Sequence, residues 1–383
     1  MRHSEQVRIL RQMLAHVESG EFDLADGGSI PVERYFDPAR LERERRLFRE
    51  QPILVGFSSE IPDPGDFFVH ADTGVPILVV RQDDRSVRAF VNVCRHRGAE
   101  LATEPCGHRT NAFACPYHAW TYGLDGRLRS VTHKEAGFPT LDLASRSLTA
   151  LPAAEAVGMI FVRPTPNGAP IDVAEHMGAL LDDFTGFSLA THVVYEPKRF
   201  RKHADWKLFF DSSLESYHFR HVHRKTIASR FFDNHALWEW LPPRNSRNFL
   251  PKRLMTEHCR APESEWNIRI AGNLLYTLFP NTIFLVQPDH VTVMQTFPVA
   301  IGESQVRWTT LIPEPPQSDK ARAHWDLNLK IFIDAIEEDF DMAESMQKGM
   351  ASGGNTHLSM ARFEHQILRF HAALDEELAK LPA

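Results

Sequence analysis

Cysteine is scarce in this 383-residue sequence: only Cys94, Cys106, Cys115 and Cys259 occur, beside 20 histidines. A disulfide framework is a poor account of them, because the amino terminus shows no signal-peptide hydrophobic segment that would bring the chain to an oxidising compartment. Metal chemistry in the cytoplasm is the expected use. No apolar run approaches the ~20 residues of a membrane helix, so no membrane association is expected. Basic charge is also in deficit, with 43 Lys and Arg against 50 Asp and Glu and a net charge of −7. That balance argues against a general nucleic-acid coat, which needs a basic face, while leaving room for a local basic docking patch. Internal repeats, heptad arrays and low-complexity tails are missing, and so is a nucleotide-binding fingerprint. What is present, 43% hydrophobic and 24% charged residues, excludes global disorder and suits about two or three domains.

Periodicity divides the chain. Val7, Leu10, Leu14 and Val17 fall at helical spacing ahead of Gly20, and a charged second helix is expected over residues 38–49. From Ile53 to Phe161 the apolar runs are short and rich in β-branched and aromatic residues. Strands are expected at 53–55, 67–69, 77–80, 87–91 and 159–162, with Asp125-Gly126 as a hairpin turn. The proline-rich stretch 163–170 marks a boundary. Beyond it, helical signals at 172–184, 205–229, 322–348 and 357–380 mix with strand signals at 193–195, 266–270, 283–287, 291–297 and 306–312. The expected fold class is therefore α+β. Residues 1–50 form helices packing on a larger α+β domain of 166–383, and residues 51–165 form a small antiparallel β domain with metal-bearing loops.

Two constellations carry chemistry. Cys94-Arg95-His96 and Cys115-Pro116-Tyr117-His118 offer two thiolates and two imidazoles from two tight pairs. A [2Fe–2S] cluster could place both thiolates on one iron and both imidazoles on the other, which raises its potential above that of all-thiolate clusters. Mixed Cys and His sites also suit tetrahedral zinc, so the ligand types alone leave both metals open. Cys106 and Cys259 are read as inert thiols. Arg95, Arg97, Arg109 and Lys134 could form a basic collar that steers an acidic redox partner.

The segment 205–223 gathers aromatic residues around Glu215 and the histidines His218, His221 and His223. Two imidazoles and one distant carboxylate make a facial triad for Fe(II), with positions left for O2 or substrate. His218 and His221 share a helical face; His218 and His223 stand about 140° apart on an ideal helix and need a break between them. Spacing leaves both pairings open. The carboxylate must come from downstream, where Glu337, Glu338, Asp339, Asp341 and Glu344 share one expected helix. An apolar cavity is sought among Phe210, Leu214, Phe219, Leu275, Leu278, Phe279, Ile283 and Phe284. Trp238 and Trp240 could shape an aromatic or cationic-substrate site, and Arg224, Lys225 and Arg230 could bind a substrate carboxylate.

Cys94-Arg95-His96-Arg97-Gly98 with Cys115-Pro116-Tyr117-His118-Ala119-Trp120, and Asp205-Trp206-Lys207 with Glu215-Ser216-Tyr217-His218 and His223, resemble the motifs of the Rieske-type non-haem iron aromatic ring-hydroxylating oxygenases, alpha (terminal oxygenase) subunit. The resemblance implies an antiparallel β Rieske [2Fe–2S] domain joined to a helix-grip-like α+β catalytic domain containing mononuclear Fe(II). It assigns Cys94 and Cys115 to the inner iron of the cluster and His96 and His118 to the outer one. At the mononuclear site it assigns His218, His223 and Asp339, leaves His221 a bystander, and implies a helix distortion between residues 218 and 223. Glu215 would bridge a cluster histidine of one subunit to the mononuclear site of its neighbour. Residues Asp205, Asp211 and Ser212 depart from the Asn, Glu and Asn common at these places.

The implied activity is monooxygenation of a small organic substrate, by hydroxylation or oxidative demethylation, using O2 and externally supplied electrons. NAD(P)H would act indirectly through a separate reductase or ferredoxin, and the chains would form a homotrimer, with a beta subunit also compatible. Aromatic-ring cis-dihydroxylation is the alternative outcome of the same framework. A Rieske electron-transfer protein is the different-class alternative, and it would not need iron at His218, His223 and Asp339. Aromatic acids, methylated aromatics and quaternary amines all remain open as substrates.

Overall fold

The computed structural model describes residues 1–382, in two compact units: residues 45–176, and residues 1–44 together with 177–382. In the first, all sheets are antiparallel. A five-stranded sheet runs in the order Ala150–Leu151, Val87–Val91, Ile77–Arg81, Asp66–His70, Cys106–His108. Two three-stranded sheets join Ala153–Ala156, Met159–Val162 and Ile53–Phe57, and Ala112–Ala114, Thr121–Gly123 and Leu128–Ser130. Each strand expected between 53 and 162 is present. Asp125-Gly126 turns the last hairpin with Gly126 at φ +79°. A Cβ on Gly126 would lie 2.4 Å from a ring carbon of Phe90. Gly126→Ala therefore combines left-handed strain with an overlap, and denaturant unfolding should show a loss of about 1–3 kcal/mol.

The core of this unit holds Phe67, Leu78, Val80, Phe90, Phe113, Tyr122 and Leu128 and includes Cys94, Cys115 and Trp120. The two Cys-His loops are thus seated on packed apolar side chains at their cysteine ends.

The second unit is built on a seven-stranded antiparallel sheet in the order Val193–Lys202, Glu303–Ile312, Val291–Ala300, Thr282–Val286, Gly272–Leu278, Asn245–Pro251, Leu237–Leu241. The helix Trp206–Ser213 packs on two of its strands, Val291–Ala300 and Glu303–Ile312, and on the 33-residue helix Asp319–Ala351. Ser318 caps the long helix by accepting the Ala321 N–H at 3.2 Å. The helix His3–Ser19 ends at Gly20, at φ +72°, and the strand Gly28–Pro31 pairs with His357–Met360. Among the described residues no helix is long and apolar enough to cross a membrane.

Three local expectations are corrected. The helical signal at 357–380 starts too early, because His357–Met360 is a strand and the helix runs from His365 to Lys380. Residues 266–270 are not a strand. Asn267 accepts the Arg269 N–H at 3.0 Å and so starts the helical turn Ile268–Ala271. The helix expected over 205–229 is divided into Trp206–Ser213, Phe219–Val222 and the turn Ala228–Arg230.

Candidate active site

The two Cys-His loops of residues 94–120 share one hydrogen-bond pattern. Cys94 N–H donates to Ala99 O at 2.8 Å and Gly98 N–H to Cys94 O at 3.0 Å. Cys115 N–H donates to Trp120 O and Ala119 N–H to Cys115 O, both at 2.9 Å. Gly98 and Ala119 take φ values of +84° and +56° to close them. Both sulfurs are free thiols on buried residues, and burial pushes the Cys94 thiol pKa up. His96 and His118 are partly exposed, with their Nδ1 atoms 3.1 Å apart. The His96 ring stacks on Trp120 at 4.8 Å between centroids, and the His118 ring on Tyr117 at 3.7 Å.

A single tetrahedral zinc ion would draw all four donor atoms to within ~4 Å of one another. Among the described residues, the only group of three or more such donors meeting within 4.8 Å lies elsewhere, at residues 218, 223 and 339. The arrangement fits a binuclear cluster rather than zinc. Tyr122 was not anticipated in a functional role. Its Oη accepts the Arg95 N–H at 2.9 Å and lies 3.4 Å from Cys94 Sγ, where its O–H can donate to a thiolate. Of the basic collar, Arg97 lies over Tyr117, 5.2 Å from the ring centroid, and Arg95 donates to Thr149 at 2.7 Å. Arg109 instead pairs with Glu104 at 2.9 Å.

The segment 205–223 starts with a buried ion network. Asp205 caps the helix Trp206–Ser213 by accepting the Lys207 N–H at 3.0 Å, and its carboxylate meets Lys207 Nζ at 2.9 Å. Glu44 also accepts from Lys207 Nζ, and from Trp206 Nε1, each at 2.9 Å. Burial drives the Asp205 pKa up to about 6, against the pull of Lys207 and with the push of Glu44. Asn would keep the cap at Asp205 but lose the second negative charge beside Lys207. Asp211 accepts from Tyr35 Oη at 2.7 Å and meets His371 Nε2 at 3.0 Å.

After Leu214 the backbone leaves helical geometry, and Glu215 restarts it. Its Oε2 accepts the backbone N–H of Tyr217 and, at 3.2 Å, that of His218. Its Oε1 accepts from His218 Nδ1. The one-turn helix Phe219–Val222 is bracketed by His218 and His223, and this break lets imidazoles five residues apart face each other. His218 Nε2 and His223 Nε2 are 3.2 Å apart; Asp339 Oδ1 lies 3.5 Å from the first and 3.2 Å from the second. His221 is exposed and outside the group. Glu338, weighed above only as an alternative ligand, instead accepts from His223 Nδ1 at 2.9 Å and from Thr226 Oγ1 at 2.8 Å. Each imidazole thus has a carboxylate on Nδ1, which keeps the proton there and leaves Nε2 as the free donor.

Burial works against a charged His218, yet Glu215 and Asp339 outweigh it and raise its pKa above the ordinary imidazole value. At His223 burial is likewise overcome, by Asp339 and Glu338. The site's field therefore favours a cation among the three donors. This donor set and this field fit a divalent metal ion.

A cavity of about 180 Å³ is lined by these three residues and by Glu215. The long helix contributes Asn328, Ile331, Phe332, Ala335, Ile336 and Asp339, a stripe at helical spacing. The sheet contributes Asn273, Leu275, Ile283, Leu285, Thr292, Met294 and Trp308. Of the apolar residues expected there, Phe219, Leu275 and Ile283 line it; Phe210, Leu214, Leu278, Phe279 and Phe284 are buried in the core instead. On the strands, alternation explains the division: Leu275 and Ile283 face the cavity, whereas Leu278 and Phe284 have the opposite parity on the same strands and face away. Trp238, Trp240, Arg224 and Lys225 do not line the cavity, whereas Arg230 does. Lys252, unanticipated, does too.

Comparison with known proteins decides the family. The family model described as "Ring hydroxylating alpha subunit (catalytic domain)" matches residues 189–380, half of the chain, and that of the "Rieske [2Fe-2S] domain" matches residues 51–148. The chain belongs to the ring hydroxylating alpha subunit family. As a Rieske non-haem iron oxygenase it uses a [2Fe–2S] cluster and a mononuclear iron. It takes electrons from a separate donor and monooxygenates a small organic substrate with O2.

The oxygenase subunit of carnitine monooxygenase from Acinetobacter baumannii is 26% identical over 371 residues, covering 90% of this chain and 95% of the relative. The oxygenase subunit of glycine betaine monooxygenase from Chromohalobacter salexigens is 33% identical over 202 residues, covering 52% and 44% respectively. The fold matches that of the quaternary ammonium Rieske monooxygenase CntA in complex with L-carnitine, with a TM-score of 0.78 at 22% identity over 93% of this chain and 96% of the other.

Proposed function

We propose that this oxygenase hydroxylates a quaternary ammonium compound at a carbon presented to an Fe(II) held by His218, His223 and Asp339. The observation that carries the reading is the meeting of those three donor atoms within 4.8 Å on the wall of a largely apolar cavity. Fe(II) held by these residues would supply O2 activation; with two electrons from the separate donor and two protons, one oxygen atom would enter a C–H bond and the other would leave as water. The chain's own residues do the rest. Glu215 and Glu338 hold the Nδ1 protons of the two histidines, and the apolar walls keep bulk water from the reacting carbon. Trp308 and Phe332, with ring centroids 4.5 Å apart, add aromatic surface that suits a trimethylammonium group. The names of the relatives point to the same substrate class.

In this reading Cys94, Cys115, His96 and His118 hold the cluster, residues 51–165 serve as the electron-storing domain, and residues 166–383 with the helices of 1–50 serve as the catalytic one. The chains form a homotrimer in the cytoplasm, and Glu215 of one subunit meets His96 or His118 of the next. A reductase or ferredoxin passes on electrons from NAD(P)H. The deciding experiment supplies the purified protein with a compatible reductase and reads product mass and formaldehyde together. Gain of one oxygen, or cleavage of a C–N bond at the hydroxylated carbon, with formaldehyde where that carbon is a methyl, supports the proposal. Gain of two oxygens and two hydrogens on an aromatic ring overturns it.

A further inference from the structure

We infer that the cavity contains an anion-binding subsite built on Lys252, and that the substrate therefore carries a carboxylate. The inference deepens the proposed function, on which it rests for the quaternary ammonium half of the ligand. Lys252 lines the same cavity as His218, His223 and Asp339. It is half-buried, and among the described residues no carboxylate lies within ion-pair distance of its ammonium. The carboxylate whose field reaches it is Asp289, already engaged by His290 at 2.7 Å and His324 at 3.1 Å. Arg230 is a second cation on the cavity wall.

The backbone fixes this pair of cations. Phe231 and Lys252 form an antiparallel β-bridge, Arg253 N–H donates to Arg230 O at 2.9 Å, and Lys252 N–H donates to Ala271 O at 2.9 Å. Lys252 is thus anchored beside the sheet and not carried on a loop tip. Burial pushes its pKa down to about 8, Arg230 pushes the same way, and Asp289 opposes. A half-buried ammonium with no partner costs stability, and a leucine or methionine would pack this wall without that cost. Such a cation has a physical rationale when the ligand brings the missing anion. A carboxylate bound at Lys252 would also fix one end of the substrate, so that the distance from carboxylate to ammonium selects which carbon meets the metal site.

The test is calorimetric binding to the iron-loaded full chain and does not depend on turnover. The ligands are trimethylammonium carboxylates with one to three methylenes, the tert-butyl carboxylates of the same lengths, and choline. Lys252→Met should weaken the best trimethylammonium carboxylate about 10–100-fold and leave choline unchanged, while Lys252→Arg should retain most of the affinity. Wild-type affinity for carboxylates should fall as pH rises from 7 to 9 through the lysine's titration, and Lys252→Arg should remove that fall. Lys252→Met should melt no lower than wild type, because no ion pair is lost. Unchanged carboxylate affinity in Lys252→Met, or no carboxylate binding by the wild type, overturns the inference. Choline binding as tightly as the carboxylates would overturn it while leaving the quaternary ammonium reading intact. Lys252-dependent binding of tert-butyl and trimethylammonium carboxylates alike would uphold the subsite and sink that reading instead.

Discussion

Replacing Asp339 by alanine is expected to strip the mononuclear iron while leaving the cluster in place. Metal analysis should fall from about three irons per chain to about two, with two sulfides retained and the reduced-cluster resonance unchanged. The reason is geometric. Asp339 Oδ1 is the third donor, 3.2 Å from His223 Nε2 and 3.5 Å from His218 Nε2, and the charge among them. Without it, two imidazoles still oriented by Glu215 and Glu338 are left to hold a divalent ion alone. Product formation should fall by more than about 100-fold, the upper range for removing a group that only orients a ligand. His223→Ala should behave in the same way, and His221→Ala should keep its iron because that ring is exposed and apart from the group. Glu338→Gln should be milder, about 10–100-fold, since Glu338 meets His223 at Nδ1, the ring nitrogen turned away from Asp339. Retention of the full iron content by Asp339→Ala would transfer the ligand role to another carboxylate, with Glu338 the nearest claimant in sequence.

The contrast between the two centres shows what a sequence can reveal. The Cys94–His96 and Cys115–His118 pairs are local in sequence, and each loop closes on its own backbone, so spacing alone exposed them. The pairing of His218 with His223 was ambiguous because helical spacing favours His221. The break that overrides this preference comes from Glu215, whose carboxylate caps the next turn, a signal easy to miss three residues upstream. Five acids on the long helix looked equivalent, yet their faces differ. Three, four and seven residues before Asp339 stand Ile336, Ala335 and Phe332, all apolar; the same positions before Asp341 are acidic. Only Asp339 continues the stripe that lines the cavity. The strands Asn245–Pro251 and Gly272–Leu278 escaped notice for another reason. Asn245, Ser246, Arg247 and Asn248 are all buried, so the alternation of apolar and polar residues that marks a half-exposed strand is absent. Lys252 follows directly on that polar strand, and in sequence it reads as an ordinary surface lysine.

Glu215→Gln is expected to keep both metals and slow electron delivery to the mononuclear site by about 10–100-fold. Glutamine preserves the size of the side chain and one acceptor for His218 Nδ1. Its amide nitrogen, however, would face the backbone N–H groups of Tyr217 and His218, donor against donor, where Glu215 Oε2 now accepts. The cap should therefore weaken, at a cost of about 0.5–2 kcal/mol in unfolding experiments. The substitution also removes the negative charge that holds the His218 proton on Nδ1 and that leaves lone pairs for a further imidazole. These two losses separate experimentally. A purely structural Glu215 lowers the melting temperature and the iron content, while chains that retain iron reoxidise their clusters at the wild-type rate. A bridging Glu215 slows single-turnover cluster reoxidation in iron-replete protein, beyond anything the fall in stability accounts for. Full iron occupancy with an unchanged reoxidation rate in Glu215→Gln would confine this carboxylate to capping the turn that sets His218 opposite His223.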